Sequence, residues 1–350
     1  MSNPKVSVVM SVFNGERFLR EAVASILGQS FRDFEFIIIN DGSTDGTGAM
    51  LDSYARSDPR VRVYHQENKG LTESLNRACG LAQGQYIARM DGDDVSTPDR
   101  LGRQIGFLEH HDKVGLLGGA VEEIDDQGRR VSLWRPPLEN ESIRAALHSF
   151  SLPISHPAVM MRKQAFDAMG GYRAPFLLAQ DYDLWLRIVE DWEAANLSDV
   201  VVRKRTHSKM LSFCHRRQQK LAALAALALW SARQLPSVEP AGQEQAISEG
   251  YLRTLQTYYA CLIQSRLRTP QDDAILRVEQ ELMDRSRTGS INNSSVAYAM
   301  LSAARIHFRR GKIGRALLSL GRALLTRPRI AGRPFKRAVN SLLRKLRFAQ

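Results

Sequence analysis

Residues 85–94 read QYIARMDGDD, an apolar run that ends in three aspartates within four positions. The run has the length and residue types of a buried strand, which puts the aspartates at its carboxyl end. Ligands of open α/β sheets bind outside that end of the strands. Three neighbouring carboxylates repel one another, and a divalent cation commonly neutralises them. A surface loop explains many acidic clusters but explains this position less readily, so we predict a metal site.

Strand and helix patterns alternate before this run. Strands are predicted at 6–12, 34–39 and 61–65, and helices at 17–27, 44–54 and 71–81. Repeated βαβ units of this length need right-handed crossovers and give a parallel sheet with helices on both faces. We therefore expect an α/β domain with a mostly parallel central sheet.

Strand patterns stop near residue 206, and helical patterns broken by proline and glycine follow. We predict one α/β domain at 1–205 and an all-helical C-terminal region at 206–350. The chain of 350 residues is long enough for about two domains, and its 43% hydrophobic content excludes general disorder.

The sequence predicts neither a membrane span nor a secretion signal. Its longest dense apolar run, residues 221–230, is about half the length of a span. The N-terminus lacks the long apolar region and the cleavage site of a signal peptide. Three widely spaced cysteines without a CxxC motif favour reduced thiols. We therefore expect a cytoplasmic protein.

The net charge of +12 belongs entirely to the end of the chain. Residues 303–350 hold 14 Lys and Arg and no acidic residue, which leaves 35 of the 49 basic residues against 37 acidic ones elsewhere. The last predicted helix, about 334–348, is amphipathic and cationic. It either packs internally with its charges in water or lies on an anionic membrane surface, and we expect peripheral binding at the inner face of the cytoplasmic membrane. The tail lacks the interleaved aromatics of a nucleic-acid platform.

The second predicted strand ends in NDGSTDGT, residues 40–47. A carboxylate at this position, Asp41, can accept hydrogen bonds from a base or ribose; the alternative is a turn with a helix cap. The sequence has no GxGxxG and no P-loop, so phosphates must be held in another way.

Four segments in order resemble the family 2 glycosyltransferases of the GT-A fold, over about residues 5 to 205. They are VSVVMSVFN at 6–14, IIINDGSTDGT at 37–47, NKGL at 68–71, and RMDGDD at 89–94 with PDRL at 98–101. The resemblance implies a bacterial-type nucleotide-sugar-binding domain, usually for uridine. One departure is Val12, where the family often has proline.

The resemblance also implies individual site residues. Its nucleotide-binding positions are Ser11, Phe13, Asn14, Asp41, Asn68, Gly70, Arg89 and Asp91. The resemblance implies that Asp41 binds the base and that Asp91 binds the ribose or a Mn²⁺ or Mg²⁺ ion. Asp93 is the preferred metal ligand, with Asp94 in reserve. His207 stands where relatives often have a histidine near the diphosphate, either in the metal shell or on the leaving phosphate.

The family's general base comes from a Glu-Asp pair that appears here as Gln180-Asp181. The resemblance implies that Asp181, in the first turn of a helix, is the base; the alternative is that it only caps that helix. Because the missing glutamate removes a like charge that would raise the pKa of Asp181, we expect a weaker base. For His156 we predict a packed, hydrogen-bonded side chain.

The residues themselves predict a nucleotide and metal site in an α/β domain, and the resemblance implies an inverting, metal-dependent glycosyltransferase. It would move a sugar from a nucleotide-sugar donor, UDP-linked, to a hydroxyl of a glycan or lipid-linked acceptor in cell-surface polysaccharide synthesis. A nucleotidyltransferase, a nucleic-acid-binding module and a catalytically silent scaffold are the alternatives.

Overall fold

The computed structural model describes residues 3–148, 151–176 and 178–207, with four single positions at 219, 223, 226 and 230. The elements below all lie in Met1–Ala223, the first of two units into which the chain divides. Apart from residues 206 and 207 and those four positions, the predicted helical region lies outside the described residues, as do the basic tail and two of the three cysteines. The domain boundary at 205 therefore stays a prediction.

Strands and helices alternate through the first half of the domain. The strands are β1 (Val6–Val12), β2 (Phe34–Asp41), β3 (Val61–Gln66), β4 (Tyr86–Asp91), β5 (Val95–Ser96), β6 (Val114–Ile124), β7 (Arg130–Trp134), β8 (Met160–Arg162) and β9 (Glu193–Arg205). The α-helices are α1 (Glu16–Leu27), α2 (Thr47–Ser57), α3 (Leu71–Leu81), α4 (Arg100–Glu109), α5 (Asn140–His148), α6 (Lys163–Ala168) and α7 (Gln180–Asp191), and His156–Ala158 and Ala174–Phe176 are short 3₁₀ turns.

Within the described residues, nine strands form one sheet in the order β3-β2-β1-β4-β8-β6-β9-β5, with β7 paired to β6. The first four strands are mutually parallel, as the repeated βαβ pattern predicts. Strand β8 is antiparallel to both β4 and β6, and β9 runs parallel to β6. The α/β class is confirmed, and the second half of the sheet is mixed.

The carboxyl ends of β1, β2 and β4 meet at one edge of the sheet. Ser11 in β1 is in register with Ile39 of β2 and with Asp91 of β4. All eight residues of β2 are buried, and five of them are apolar, as expected for a strand that is covered on both faces. Helix α1 contributes Leu19, Val23 and Ile26 to the same core. This packing holds the polar strand ends together at one edge.

Helix α2 begins at Thr47, so the prediction of a start at residue 44 was wrong by three residues. The Thr44 N–H donates to Asn14 Oδ1 at 2.8 Å, and the Gly46 N–H donates to Glu16 Oε2 at 2.9 Å. The Thr47 N–H donates to Asp45 Oδ1 at 3.1 Å, which satisfies one free donor of the first turn. Residues 44–46 therefore form a loop tied to the start of α1.

Gly42 lies where the β2 loop approaches the loop after β3. Its φ is +77°, and a Cβ built there would lie 2.7 Å from the Asn68 nitrogen. We expect Gly42→Ala to lower the free energy of unfolding by about 1–2 kcal/mol for the left-handed backbone, with a further loss from the clash.

Urea unfolding measures this change. Gly106→Ala is the matched control, because that glycine is inside α4 and a Cβ there meets nothing within 4 Å. It should leave stability unchanged or raise it slightly. Equal stability in the two variants would contradict the prediction.

Candidate active site

Asp41 orders the loop that follows β3. Its Oδ1 accepts hydrogen bonds from Lys69 N and Gln66 Nε2, both at 2.8 Å, and its Oδ2 accepts one from Gly70 N at 2.9 Å. A carboxylate offers about four acceptor positions, so one remains on Oδ2. Asp41, Asn68 and Gly70 are thus brought together, and Asp41 keeps capacity for one further donor such as a base N–H.

The loop after β1 interlocks with the loop after β2. Asn14 has a positive φ of 50°, and its N–H donates to Ser43 Oγ at 3.0 Å. The preceding Phe13 side chain is 52% exposed, which is unusual for a phenylalanine. Its ring offers an open aromatic face beside Asn14 on which a base can stack.

Three aspartates converge directly after β4. Asp91, Asp93 and Asp94 each offer a carboxylate oxygen, and these oxygens lie within 4.8 Å of one another. Asp94 is buried, and its Oδ2 has no hydrogen-bond partner among the described residues. Hard carboxylate oxygens are the donors that Mg²⁺ and Mn²⁺ prefer, and an unpartnered buried acceptor fits such an ion.

The end of β9 holds this acidic loop from the other side. The Arg205 N–H donates to Asp94 Oδ1 at 2.7 Å, and Arg205 Nε donates to the Asp93 carbonyl at 3.0 Å. His207 Nε2 lies 2.9 Å from Asp93 Oδ2, and its ring lies 5.2 Å from that of Phe18. His207 therefore adds an imidazole nitrogen beside the preferred metal ligand.

The acidic loop has unusual electrostatics. Burial, together with the neighbouring charge of Asp91, raises the pKa of Asp93. Burial and the charges of Asp91 and Asp93 raise the pKa of Asp94 well above the ordinary carboxyl value. A bound cation reverses both effects, because it favours the ionised form of each carboxyl.

Arg89 lies beneath this cluster. Its side chain is 2% exposed, and Nη2 forms an ion pair with Asp91 Oδ1. The Nε and Nη1 donors are buried, and no residue that the structure describes accepts a hydrogen bond from them. The ion pair makes Arg89 a positioning residue for Asp91, while its predicted contact with the nucleotide stays a prediction.

Asp181 is the second residue of α7, whose N-cap is Ala179. Its Oδ1 accepts a hydrogen bond from the Tyr182 N–H at 2.8 Å. Burial raises the pKa of Asp181, against the opposing effects of that hydrogen bond and of nearby Arg89 and Lys204. Burial thus raises the pKa of Asp181, an effect that the neutral side chain of Gln180 cannot supply in place of the family's glutamate.

Asp183, two residues further, has a different role. It is buried and forms ion pairs with Arg173 and Arg187, the latter at 2.8 Å. Arg187 lies one turn further along α7, and Arg173 precedes the turn Ala174–Phe176, so Asp183 links the helix that presents Asp181 to the segment before it.

His156 is packed and hydrogen-bonded, as predicted. It is buried, its Nε2 lies 2.9 Å from the Tyr172 hydroxyl, and its ring meets the edge of Trp185. Burial lowers the pKa of His156 well below its ordinary value, which favours the neutral ring.

Three residues of this edge were missed in the sequence. Gln66 binds Asp41, Arg205 binds the acidic loop, and Lys204 lies between two arginines whose side chains are paired elsewhere. For Lys204 and Arg205 the available signal was the basic run 203–205, in which neighbouring side chains point to opposite faces of the strand.

The comparisons with known proteins agree on one family. The model of the family described as glycosyl transferase family 2 matches residues 7–170. The putative glycosyltransferase EpsE of Bacillus subtilis is 38% identical over 212 residues, which cover 59% of this chain and 75% of EpsE. The chain belongs to glycosyl transferase family 2. This membership makes it a glycosyltransferase and disfavours the nucleotidyltransferase and binding-module alternatives.

Two further relatives of this family 2 enzyme have assigned pathways. The amylovoran biosynthesis glycosyltransferase AmsE of Erwinia amylovora is 34% identical over 213 residues, covering 59% of this chain and 78% of AmsE. The O-antigen biosynthesis glycosyltransferase WbnJ of Escherichia coli is 33% identical over 210 residues, covering 58% of this chain and 80% of WbnJ.

Solved structures confirm the predicted GT-A fold. S. aureus TarS 1–349 in complex with UDP matches with a TM-score of 0.56 at 16% identity, covering 92% of this chain and 91% of that one. The mannosyltransferase PcManGT from Pyrobaculum calidifontis, in complex with GDP-Man and Mn²⁺, matches with a TM-score of 0.50 at 16% identity, covering 93% and 88%. None of the helices in the described part of this family 2 chain is long and apolar enough to span a bilayer.

Proposed function

We propose that this enzyme is a metal-dependent, inverting glycosyltransferase that transfers a sugar from a UDP-linked donor to a hydroxyl of a glycan or lipid-linked acceptor. The observation that carries the proposal is the convergence of Asp91, Asp93 and Asp94 within 4.8 Å at the end of β4, with His207 against Asp93. The Asp41 loop lies at the same edge of the sheet and offers a place for the base.

The relatives support the donor and the acceptor class. AmsE and WbnJ are named for the biosynthesis of bacterial polysaccharides, which supports a cell-surface glycan as the product. TarS structures contain UDP or UDP-GlcNAc, and the PcManGT structure contains GDP-Man and Mn²⁺. We therefore propose a nucleotide-sugar donor, with UDP favoured, and Mn²⁺ or Mg²⁺ as the cofactor.

The residues have separate tasks in this proposal. Asp93, Asp91, Asp94 and His207 would hold the cation, which when bound offsets the negative charge of the departing nucleoside diphosphate. Phe13 and Asp41 would bind the base, and the loop at Asn68 and Gly70 would border it. Asp181 would take the proton of the acceptor hydroxyl as it attacks the anomeric carbon from the face opposite the diphosphate. One displacement of this kind inverts the configuration at that carbon.

Turnover of a panel of nucleotide sugars tests the proposal. Purified enzyme with Mn²⁺ and a mixed glycan and lipid-linked acceptor fraction should release nucleoside diphosphate from one UDP-sugar well above the metal-free rate. NMR of the product should show inverted anomeric configuration. Retention of configuration, or equal turnover after chelation, would contradict the inverting, metal-dependent part of the proposal.

We further propose that the enzyme works at the inner face of the cytoplasmic membrane. The support is the sequence of residues 303–350, with 14 basic and no acidic residues. Each basic residue near acidic lipid contributes about 1 kcal/mol, and an apolar stripe adds to this.

Cosedimentation with liposomes measures the membrane interaction. Full-length enzyme should bind vesicles rich in anionic lipid, release in high salt, and lose binding on truncation after Arg333. Equal binding to neutral vesicles, or none to anionic ones, would count against it.

A further inference from the structure

The end of β9 carries three consecutive cations, and within residues 3–148, 151–176 and 178–207 only the outer two have protein partners. Arg203 Nε donates to Glu122 Oε2 at 2.9 Å, and Arg205 Nε donates to the Asp93 carbonyl at 3.0 Å. Lys204 is half-buried, and among the described residues its ammonium forms neither an ion pair nor a hydrogen bond. The three N–H donors of this ammonium are therefore open to an anion from outside the protein.

Strand geometry places Lys204 on the face that borders the active site. Adjacent residues of β9 alternate between faces, so Lys204 shares the face of Val202 and not that of Arg203. Val202 belongs to one apolar cluster with Ala158, the last residue of the turn that holds His156. On the other side, the N–H of the next residue, Arg205, binds Asp94. Lys204 therefore lies between the His156 turn and the acidic loop.

The electrostatics agree with this placement. Burial dominates the pKa of Asp181 and of Asp94, but the Lys204 charge lowers the pKa of both. After burial and Arg89, it also lowers the pKa of His156. An ammonium influences all three groups only if it lies near the space between the acidic loop and the proposed base.

We infer that Lys204 binds a phosphate oxygen of the leaving nucleoside diphosphate. The inference rests on the proposed function and assigns a residue to it. In the transfer, the acceptor oxygen forms a bond to the anomeric carbon, and the bond from that carbon to the phosphate oxygen breaks. The electron pair stays on the diphosphate, and the acceptor proton passes to Asp181. A fixed ammonium beside that oxygen stabilises the charge as it develops.

Calorimetric titration of the full-length enzyme in Mn²⁺ tests the assignment. Wild type is first titrated with UDP and GDP, and the tighter ligand is used for the variants. Lys204→Met keeps most of the side-chain volume and removes the charge, so it should weaken binding about 10- to 100-fold, the usual worth of a charge-assisted hydrogen bond. Lys204→Arg should retain most of the affinity, because it keeps a donor and a charge.

Arg203→Met is the matched control. It removes the same charge from the adjacent position, but its side chain pairs with Glu122 on the opposite face. Its affinity should stay within about twofold of wild type. The free nucleoside is the second control: because it has no phosphate, wild type and Lys204→Met should bind it equally. Lys204→Gln replaces Lys204→Met if the latter does not fold, as judged by circular dichroism.

The outcomes separate this inference from the proposed function. Tight wild-type binding with unchanged affinity in Lys204→Met overturns the role of Lys204 and leaves the proposed function intact. An unchanged diphosphate affinity with a raised KM for a phosphorylated acceptor assigns Lys204 to the acceptor and overturns the inference as well. If Lys204→Met loses affinity equally for the nucleoside and for its diphosphate, Lys204 has a structural role and the inference is overturned. If wild type binds neither UDP nor GDP, the proposed function itself fails and the inference fails with it.

Discussion

Replacing Asp181 with asparagine will lower the transfer rate about 10²- to 10⁴-fold while donor affinity stays at the wild-type value. Asparagine keeps the shape of the side chain and its bond to the Tyr182 N–H, but it cannot accept the acceptor's proton. Steady-state kinetics with saturating acceptor, combined with calorimetric binding of UDP, separates the rate from the affinity.

Asp191→Asn is the matched control for this change. Asp191 ends the same helix and is exposed, so the substitution should leave both kcat and donor affinity near wild type. Near-normal turnover of Asp181→Asn at saturating acceptor would refute the assignment of the base.

The pH profile gives an independent readout of the same residue. Burial raises the pKa of Asp181, and a base works only when ionised. The rate should therefore fall as the pH decreases through that pKa, and the acidic limb of kcat should lie above the ordinary aspartate value of about 4. The limb should disappear from the residual activity of Asp181→Asn. A limb at or below the ordinary value would contradict the effect of burial.

Replacing Asp93 with asparagine will abolish the Mn²⁺ dependence of nucleotide binding. Asp93 is the aspartate that His207 contacts, and its carboxylate oxygen is one of the three within 4.8 Å. Loss of a residue behind a metal ligand costs about 10- to 100-fold in metal affinity, and loss of a ligand should cost at least as much. Titration with UDP, with and without Mn²⁺, measures the response.

Asp99→Asn is the control for this variant. Asp99 lies close in sequence, is exposed, and makes no side-chain cap to α4. It should keep the full metal response. If Asp93→Asn folds normally and still binds UDP more tightly with Mn²⁺, the metal assignment is wrong.

Local sequence patterns determined the first half of the sheet and the acidic loop. Alternating strand and helix periods predict the parallel strands β1 to β4, because crossover geometry leaves few other arrangements. The run from 85 to 94 places three carboxylates at a strand end without any long-range information. The motifs around Asn14, Asp41 and Asn68 can also be located from local sequence, because each follows a predicted strand.

Helix α2 shows the limit of local patterns. Its period allows a start at residue 44, but Asn14 and Glu16, about 30 positions earlier, bind the backbone of the loop before it. Hydrogen-bond partners from a distant loop compete with the helix for these N–H groups. Periodicity carries no information about such partners.

Tertiary structure alone decided which residues face the acidic loop. The sequence by itself determined the α/β class, the family and the carboxylates of the candidate site. The closing of β9 onto β6 brought Arg205 and His207 to Asp93 and Asp94, more than 100 positions away in the chain. Arg89 is buried beneath Asp91, and within the described part of the chain Lys204 has no protein partner. The physical reason is that burial and pairing depend on contacts between strands that are distant in sequence, whereas strand and helix periods depend on neighbours along the chain.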